Sequence, residues 1–233
     1  MSWLRYSLRA IKIVRRGAWA VFTTHYTRLW FRANGAIVGK PFLSNGVPEL
    51  EMSISGSLTL GSDLQLQNGL HYNMIGRQQK CFFVIGKDAH MTIGDHVGLS
   101  GTAIVCHERV TIGNHVKIGM NCVIYDTDFH DLDYRKRALI PEDYSGAVTK
   151  PVTIGNDVFI GAHSTILKGV TIGDKAIIGA GSVVAKSIPA GEIWAGNPAR
   201  YIGPAPATTT ATAETSLPGF TGIHSTRALN EAR

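Results

Sequence analysis

The chain has 233 residues, of which 44% are hydrophobic, 8% aromatic and 17% charged. This length suits one domain with appendages, or at most two, and the composition excludes disorder for the bulk of the chain. The three cysteines, Cys81, Cys106 and Cys122, form no Cys-x-x-Cys pair. A disulfide framework and a thiolate zinc site are therefore disfavoured, and a reducing compartment is expected.

Positive charge is concentrated at the amino terminus. Residues 1–40 contain eight basic side chains and no acidic one, whereas the rest of the chain has a net charge of −2. The main body therefore lacks the basic surface that nucleic-acid binding requires, and we expect no nucleic-acid partner.

Residues 1–40 are predicted to form a basic amphipathic helical arm. Apolar residues recur at steps of three and four, and basic residues form a parallel stripe, as in an amphipathic helix. The apolar stripe comprises Leu4, Leu8, Ile11, Val14, Ala18, Phe22, Tyr26 and Leu29, and the basic stripe comprises Arg5, Arg9, Lys12 and Arg16. The longest stretch without formal charge, residues 17–27, is shorter than the ~20 residues that span a bilayer, so no transmembrane helix is expected.

Three interpretations of this arm remain open. Together with Trp3, Trp19 and Trp30, the stripes are typical of a helix that lies in a membrane interface, with residues 1–32 making the contact. The same helix could pack against the body or a neighbouring subunit, or its acid-free start could be an organellar transit peptide. A secretory signal peptide fits poorly because charged residues occupy the segment where its apolar core should lie.

A six-residue repeat dominates the rest of the chain. Aliphatic residues keep an unbroken spacing of six, and a small or β-branched residue follows each of the first five by four positions. The aliphatic positions are Ile154, Ile160, Ile166, Ile172, Ile178 and Val184, and the following positions are Val158, Ser164, Val170, Ala176 and Ser182. A helix cannot keep a period of six on one face, whereas a short strand followed by a corner can.

The same phase occurs earlier in the chain. It is found at Ile93, Leu99 and Val105, then after one extra residue at Ile112, Ile118 and Ile124, with a weaker copy at Ile54, Leu60 and Leu66. Stacked coils would bury this aliphatic ladder and pair their backbones. The predicted fold class is all-β, a parallel β-helix over residues 41–203 preceded by the amphipathic helix. The tail, residues 204–233, is rich in Ala, Thr and Ser, and we expect it to be flexible.

The repeat is interrupted at His130, where its phase requires an aliphatic residue. Residues 130–151 leave the register as a polar, charged excursion, and Asp126 and Asp128 precede it. Carboxylates near a histidine can raise its basicity and fix its tautomer, as a general base requires. A polar turn with its own side-chain hydrogen bonds would explain the same residues.

The segment from about Ile85 to Ile202 resembles the hexapeptide-repeat acyltransferases, in particular their maltose- and galactoside-acetyltransferase-like sugar and polysaccharide branch. The Ile-Gly hexads and the break at His130 carry the resemblance. It implies a left-handed β-helix, a homotrimer with active sites between subunits, and direct transfer from acetyl-coenzyme A to a hydroxyl of a sugar or glycan precursor. His130 would be the general base, and Asp126 and Asp128 would orient it or hold the acceptor.

The resemblance also implies a coenzyme track along the C-terminal coils. Ala162 and Ala180 match positions beside the pantetheine arm, Ala185 and Lys186 match a loop that touches its upper part, and Arg200 matches a residue near the nucleotide phosphates. Lys and Arg suit an anionic coenzyme, and no metal is required. The small corner residues and surface cations of any β-helix would give the same pattern.

Three features depart from the family pattern. Leu99 stands where some sugar acetyltransferases have Asn, so Ser100 is the expected replacement in contacting the substrate. Ala185 stands where a hydroxyl residue is common. The long basic arm differs from the arms of small-sugar enzymes, which favours a lipid-linked or polymeric acceptor. We therefore expect a cytoplasmic protein, peripheral at the inner face of the plasma membrane.

Two other functions remain as alternatives. Some trimeric hexapeptide proteins are zinc hydratases with three histidine ligands, and this chain has His90, His96, His107, His115 and His163. His96 and His115 should point outward, however, and no histidine follows His130 at the ligand spacing of that class. The second alternative is a non-catalytic β-helical scaffold, which the intact break at His130 disfavours.

Overall fold

The computed structural model describes residues 2–68, 79–139 and 146–206. Its helices are α1 (Ser2–Ala33) and α2 (Tyr134–Arg137). The strands are β1 (Ile37–Val38), β2 (Phe42–Asn45), β3 (Glu49–Met52), β4 (Ser57–Leu60), β5 (Leu64–Gln67), β6 (Phe82–Ile85), β7 (His90–Ile93), β8 (Gly98–Ser100), β9 (Ala103–Cys106), β10 (Arg109–Ile112), β11 (Lys117–Ile118), β12 (Val123–Tyr125), β13 (Val152–Ile154), β14 (Phe159–Ile160), β15 (Thr165–Ile166), β16 (Thr171–Ile172), β17 (Ile177–Ile178), β18 (Val183–Val184), β19 (Glu192–Ala195) and β20 (Arg200–Pro204). Neither described helix has the length and apolarity needed to cross a bilayer.

Three sheets wind around one core, and each of the first six coils gives one strand to each sheet, whereas the last coil gives β19 and β20 to sheet B. Sheet A has the order β1-β4-β7-β10-β13-β16, sheet B the order β2-β5-β8-β11-β14-β17-β19-β20, and sheet C the order β3-β6-β9-β12-β15-β18. The neighbouring strands are parallel except for β19 and β20, which close the last coil. The predicted all-β parallel β-helix is therefore confirmed.

The aliphatic ladder forms the core as predicted. All six hexad residues from Ile154 to Val184 are buried, and so are the five residues four positions after them. Strand pairing places equivalent residues above one another, for example Ile112, Ile154 and Ile172 in sheet A. Each buried aliphatic side chain contributes about 1.5–3 kcal/mol, so the ladder is a main source of stability.

Two predicted ladder positions are wrong. Ile54 is fully exposed in the turn between β3 and β4. Val105 lies on the outer side of β9, because side chains alternate along a strand and its neighbours Ile104 and Cys106 are the buried ones. Ile104, and not Val105, is in register with Ile124, so the corner before β9 is one residue shorter than the repeat predicts.

A column of Asp and Asn side chains stabilises the corner between sheets A and B. Each Oδ1 atom accepts a hydrogen bond from a backbone N–H of the preceding coil, at 2.6–2.8 Å. The acceptors are Asp95, Asn114, Asn156 and Asp174, and each follows an Ile-Gly pair. The column explains why these hexads read Ile-Gly-Asp or Ile-Gly-Asn, since each bond is worth about 1 kcal/mol.

The C-terminal part of α1 covers the open end of the first coil. Phe31 is fully buried and packs edge-on against Phe83, with ring centroids 5.8 Å apart. The Thr23 hydroxyl donates to the Ser44 carbonyl at 2.6 Å and accepts from the Gly46 N–H at 3.2 Å. The helix therefore ends as a cap on the core, which the sequence left open.

The strands of the described β-helix run from β1 to β20. The first strand, Ile37–Val38, lies within the segment 1–40 that was predicted as the arm. At the other end, β20 reaches Pro204, and residues 207–233 lie outside the described part of the chain. The flexibility of the tail stays a prediction.

Candidate functional site

The excursion leaves the fourth coil between β12 and β13, and its two ends are joined. Thr127 and Thr149 form an antiparallel bridge. The Lys150 N–H donates to the Asp126 carbonyl at 2.8 Å, and the Asp128 N–H donates to the Val148 carbonyl at 3.1 Å. The interruption at His130 is thus a loop with a closed base that begins to separate from the coil at residue 126.

Asp126 fixes the corner on which this loop stands. Its side chain is fully buried, and its carboxylate accepts the backbone N–H groups of His107 at 2.7 Å and of Glu108 and Arg109 at 2.8 Å. Three amide donors satisfy both oxygens, so the carboxylate supports the preceding coil. A direct contact between Asp126 and a substrate stays a prediction.

Asp128 links the loop to the next coil. Its Oδ1 atom forms an ion pair with Nζ of Lys168, and both side chains are largely buried. Its Oδ2 atom is buried without a hydrogen-bond partner in the described structure. Because buried oxygens normally accept a hydrogen bond, this atom retains an unused capacity to accept one.

His130 is exposed and follows a residue with an unusual backbone conformation. Phe129 has φ of +65°, a region that non-glycine residues rarely adopt. Its ring packs edge-on against Tyr125, with centroids 5.4 Å apart, and against His107, at 6.1 Å. This aromatic cluster was not predicted from the sequence. The only indication of it there is Phe129, an aromatic residue within an otherwise polar segment.

Charged side chains brace the first part of the loop beyond His130. Asp131 accepts the N–H of Asp133 at 2.8 Å and pairs with Nζ of Lys136 at 2.9 Å. These contacts, with the Asp133 amide first, hold the pKa of Asp131 below its ordinary value. The Arg137 guanidinium donates to the carbonyl of Asp131 at 2.5 Å.

The predicted coenzyme residues lie at two corners, one on each side of sheet C. Ala162 and Ala180 occupy the corner between sheets B and C, where the Gly181 N–H donates to the Ala162 carbonyl at 2.8 Å. A Cβ atom on Gly161 would lie 2.5 Å from the backbone nitrogen of Ala180, so close stacking of the coils requires glycine there. Arg200 is exposed and in register with Ala195, near the end of the same corner.

Ala185 and Lys186 lie instead at the corner between sheets C and A. The pairing of β15 with β18 places Lys186 next to Lys168, which forms the ion pair with Asp128 one coil earlier in the chain. This corner therefore brings the loop that carries His130 close to Lys186. Within one chain, it does not bring His130 to the alanine column at the other corner.

Ser100 lies on the outer face of sheet B. It lines a groove of about 290 Å³ together with Gln65, Gln67, Lys117 and Phe159. The groove belongs to a different face from the excursion. Ser100 and His130 are therefore not neighbours within a single chain.

The histidines of the zinc alternative are arranged differently from a ligand set. His96 and His115 stack face to face, with ring centroids 4.7 Å apart and an interplanar angle of 8°. Nδ1 of His96 lies 3.0 Å from Oδ2 of Asp63. Across the described ranges, no three His, Cys, Asp or Glu side chains are grouped so that they could hold a metal ion.

The ion pair between Asp128 and Lys168 predicts a measurable effect on the loop. Replacing Lys168 with methionine keeps most of the side-chain volume and removes the charge, so the base of the loop should open more often. We expect faster hydrogen exchange at residues 127–139 in K168M, with the coils unchanged. K87M, at an exposed lysine, is the control, and equal exchange in the two variants would show that the pair does not hold the loop.

Residues 151–186 match the sequence family described as the hexapeptide repeat of succinyl-transferase. No match was found among curated proteins.

Several solved structures are similar to this chain. A hexapeptide-repeat-containing acetyltransferase from Vibrio cholerae O1 biovar El Tor, complexed with acetyl coenzyme A, is 26% identical over 77% of this chain and 76% of its own, with a TM-score of 0.51. Another crystal structure of this acetyltransferase from Vibrio cholerae gives 34% identity over 50% of this chain, which spans 64% of that chain, with a TM-score of 0.46. An N-acyltransferase from Bacillus cereus, in complex with dTDP and 3-hydroxybutyryl-CoA, has 21% identity over 79% of this chain and 90% of its own, with a TM-score of 0.62.

The architecture is a left-handed parallel β-helix of hexapeptide repeats. Residues 151–186 carry the hexapeptide repeat that the sequence predicts, and the fold is similar to that of a hexapeptide-repeat-containing acetyltransferase.

Proposed function

We propose that this protein is an acetyl-CoA-dependent O-acetyltransferase that acts on a hydroxyl of a sugar or of a cell-surface glycan precursor. The observation that carries the proposal is the loop at His130, which interrupts a regular ladder and has a base fixed by Asp126 and by the pair of Asp128 with Lys168. The similarity to an acetyltransferase that was solved with acetyl coenzyme A supports it.

His130 acts as the general base in a direct transfer. The imidazole accepts the proton of the acceptor hydroxyl while the hydroxyl oxygen attacks the thioester carbonyl. Backbone N–H donors stabilise the oxyanion of the tetrahedral intermediate. When the C–S bond breaks, the coenzyme thiolate leaves and takes the proton from His130, so no covalent enzyme intermediate forms. The unpartnered Oδ2 atom of Asp128 accepts a hydrogen bond from the acceptor.

The coenzyme lies along the alanine column. Ala162 and Ala180 present small side chains on successive coils, which leaves room for a pantetheine arm against the backbone. Arg200 lies at the corner of the alanine column and Lys186 at the other corner of sheet C, so in the proposed trimer Arg200 of one subunit and Lys186 of its neighbour attract the phosphates.

A homotrimer completes the active site. His130, the alanine column and Ser100 lie at different corners or faces of one chain, too far apart around the coil to act on one substrate. If neighbouring subunits contact each other along these faces, the loop of one subunit meets the alanine column or the Ser100 groove of the next. The active sites of the proposed trimer are therefore between subunits.

The proposed enzyme works in the cytoplasm in polysaccharide biosynthesis, peripheral at the inner face of the plasma membrane. Residues 1–32 provide the membrane contact. Thr23 and Phe31 are part of the cap on the core, so only the helix before them can be removed without exposing the first coil.

The experiment that tests the proposed activity is an acetyl-transfer assay on the full chain. Release of the coenzyme thiol is followed while acetyl-CoA is offered with sugars and glycan precursors, and the acetylated acceptor is identified by mass spectrometry. An O-acetylated product is expected. Thiol release that never depends on an acceptor would contradict the proposal.

The coenzyme track makes a prediction about affinity. Removing two cations from an exposed phosphate site costs about 0.5–1 kcal/mol each, so the double variant K186A/R200A should bind acetyl-CoA about five- to thirtyfold more weakly. Calorimetry measures the dissociation constant. K87A is the control at a remote exposed lysine, and an equal affinity in the double variant and the control would place the phosphates elsewhere.

A further inference from the structure

The apolar stripe of α1 is not the face that packs on the β-helix. The buried residues of the helix are Thr23, Thr27 and Phe31, spaced four apart on one side. At 3.6 residues per turn, the apolar stripe lies on the opposite side. Its large members, from Leu4 to Leu29, are 48–71% exposed. Packing of α1 on the β-helix therefore does not explain the apolar stripe, because other residues of the helix make that contact.

The first half of α1 extends beyond the body. Residues 3–19 are all exposed, and at 1.5 Å per residue they form a rod about 26 Å long. The apolar stripe runs along this rod and continues past the cap to Leu29. Such a long unpartnered apolar surface indicates a partner that it contacts.

The charge of the helix selects an anionic partner. Ser2–Ala33 contains seven Lys and Arg residues and no acidic residue. Trp3 and Trp19, which are 71% and 50% exposed, are typical of the boundary between headgroups and acyl chains. Apolar residues on one face with cations beside them match an anionic phospholipid surface.

A bundle of α1 helices from several subunits fits less well. A coiled-coil seam through Leu4, Leu8, Phe22 and Leu29 has Arg15 and His25 at intervening seam positions, both exposed here. Copies of Arg15 would meet at the bundle axis, where unpaired like charges are costly. At a bilayer surface, the long Arg15 side chain can instead reach the headgroups.

We propose that α1 lies in the surface of an anionic phospholipid bilayer through its apolar stripe, and that this contact holds the β-helix end-on with the first coil nearest the lipid. The orientation follows from the cap, since α1 packs on β1 and β2, the first-coil strands of sheets A and B, with its stripe facing away from them.

This orientation restricts the class of acceptor that the active site can reach, an inference that rests on the proposed activity. The loop carrying His130 leaves the fourth coil, three coil spacings or about 14 Å from the first coil. The active site is thus held a short, fixed distance above the headgroups. The substrate class that suits this position is a glycan carried by a membrane lipid, with its hydroxyl projecting from the bilayer.

Vesicle binding of two matched variants tests the contact. Ile11 is on the apolar stripe and Ile13 is on the opposite side of the same exposed rod, so I11E and I13E introduce the same charge two residues apart. Relative to the natural chain, we expect I13E to bind phosphatidylcholine vesicles containing phosphatidylglycerol about fivefold more weakly, because of its added negative charge. I11E also loses an apolar contact, so we expect it to bind about tenfold more weakly than I13E. Equal losses of affinity in I11E and I13E would overturn the proposal, and so would binding of the natural chain to pure phosphatidylcholine as tight as to the anionic vesicles. A change of oligomeric mass in I11E without a change in its vesicle binding would also overturn it.

Energy transfer from two labelled positions tests the orientation. Lys40 and Ala190 lie at the same corner in the first and last coils, about 29 Å apart along the stack. A dye on K40C should transfer energy to headgroup-labelled lipid much more efficiently than a dye on A190C. Equal transfer would overturn the end-on arrangement.

The native thiols do not interfere with this labelling. All three cysteines are buried, and burial raises the pKa of Cys81 and Cys106 to about 12 and that of Cys122 to about 11. They therefore remain protonated and unreactive near neutral pH.

Failure of the proposed membrane contact and failure of the proposed activity can be distinguished. Binding of acetyl-CoA in solution, without vesicles, is expected to be the same in I11E as in the natural chain. Loss of vesicle binding with normal coenzyme binding tests only the arm, whereas failure to bind the coenzyme tests only the active site.

Discussion

Replacing His130 with asparagine is expected to lower kcat for acetyl transfer by about 10²–10⁴-fold, because general base catalysis contributes about that much. The dissociation constant of acetyl-CoA should change by less than about twofold, since the proposed coenzyme residues lie on the coils and His130 lies on the loop. Steady-state kinetics and calorimetry on the same preparation measure the two quantities. His130 is exposed, so the fold should keep its thermal stability.

The matched control for this variant is H115N. His115 is also exposed, but it stacks on His96 at the corner between sheets A and B, away from the loop. Asparagine suits its positive φ of 58°, so the corner should tolerate the change. Normal kcat in H130N, or an equal loss in H115N, would remove His130 from the role of base.

Replacing Asp126 with alanine is expected to lower the free energy of unfolding by about 2–4 kcal/mol. Three backbone N–H groups, those of His107, Glu108 and Arg109, would lose their common acceptor. Urea unfolding followed by circular dichroism measures the change. The loop should also lose its position, so kcat should fall while the affinity for acetyl-CoA remains.

D133A is the control for this second prediction. Asp133 is the N-cap of the short helix α2 and accepts one amide, from Arg135, at 2.9 Å. Its loss should cost about 1 kcal/mol or less. If D126A unfolds like the natural chain and only KM for the acceptor rises, Asp126 contacts the substrate and does not support the corner.

The coils could be predicted from the sequence because their packing is periodic. Each coil repeats the same inward position, so a buried residue such as Ile160 or Ile178 has the same environment as its neighbours. The period fails where corners differ in length. Val105 and Ile54 were misplaced because one short corner and one exposed turn shift the phase, and a count of residues cannot detect either.

The site could be predicted only in part. The break at His130 was visible because a polar residue stands where the six-residue phase requires an aliphatic one. The three amides on Asp126 and the pair of Asp128 with Lys168 join residues 17–40 positions apart in the chain, and no local pattern reports such contacts. The stripe also did not reveal which side of α1 packs, since the helix packs through Thr23 and Thr27 and leaves the stripe residues Phe22 and Tyr26 exposed.

A calorimetric titration of acetyl-CoA into the full chain is the most direct test of the central claim, because it needs no knowledge of the acceptor. We predict saturable binding at micromolar affinity, with one coenzyme per chain, in protein whose mass in solution is that of a trimer. Trimeric, folded protein that binds no acetyl-CoA would contradict the assignment of this β-helix as an acetyltransferase.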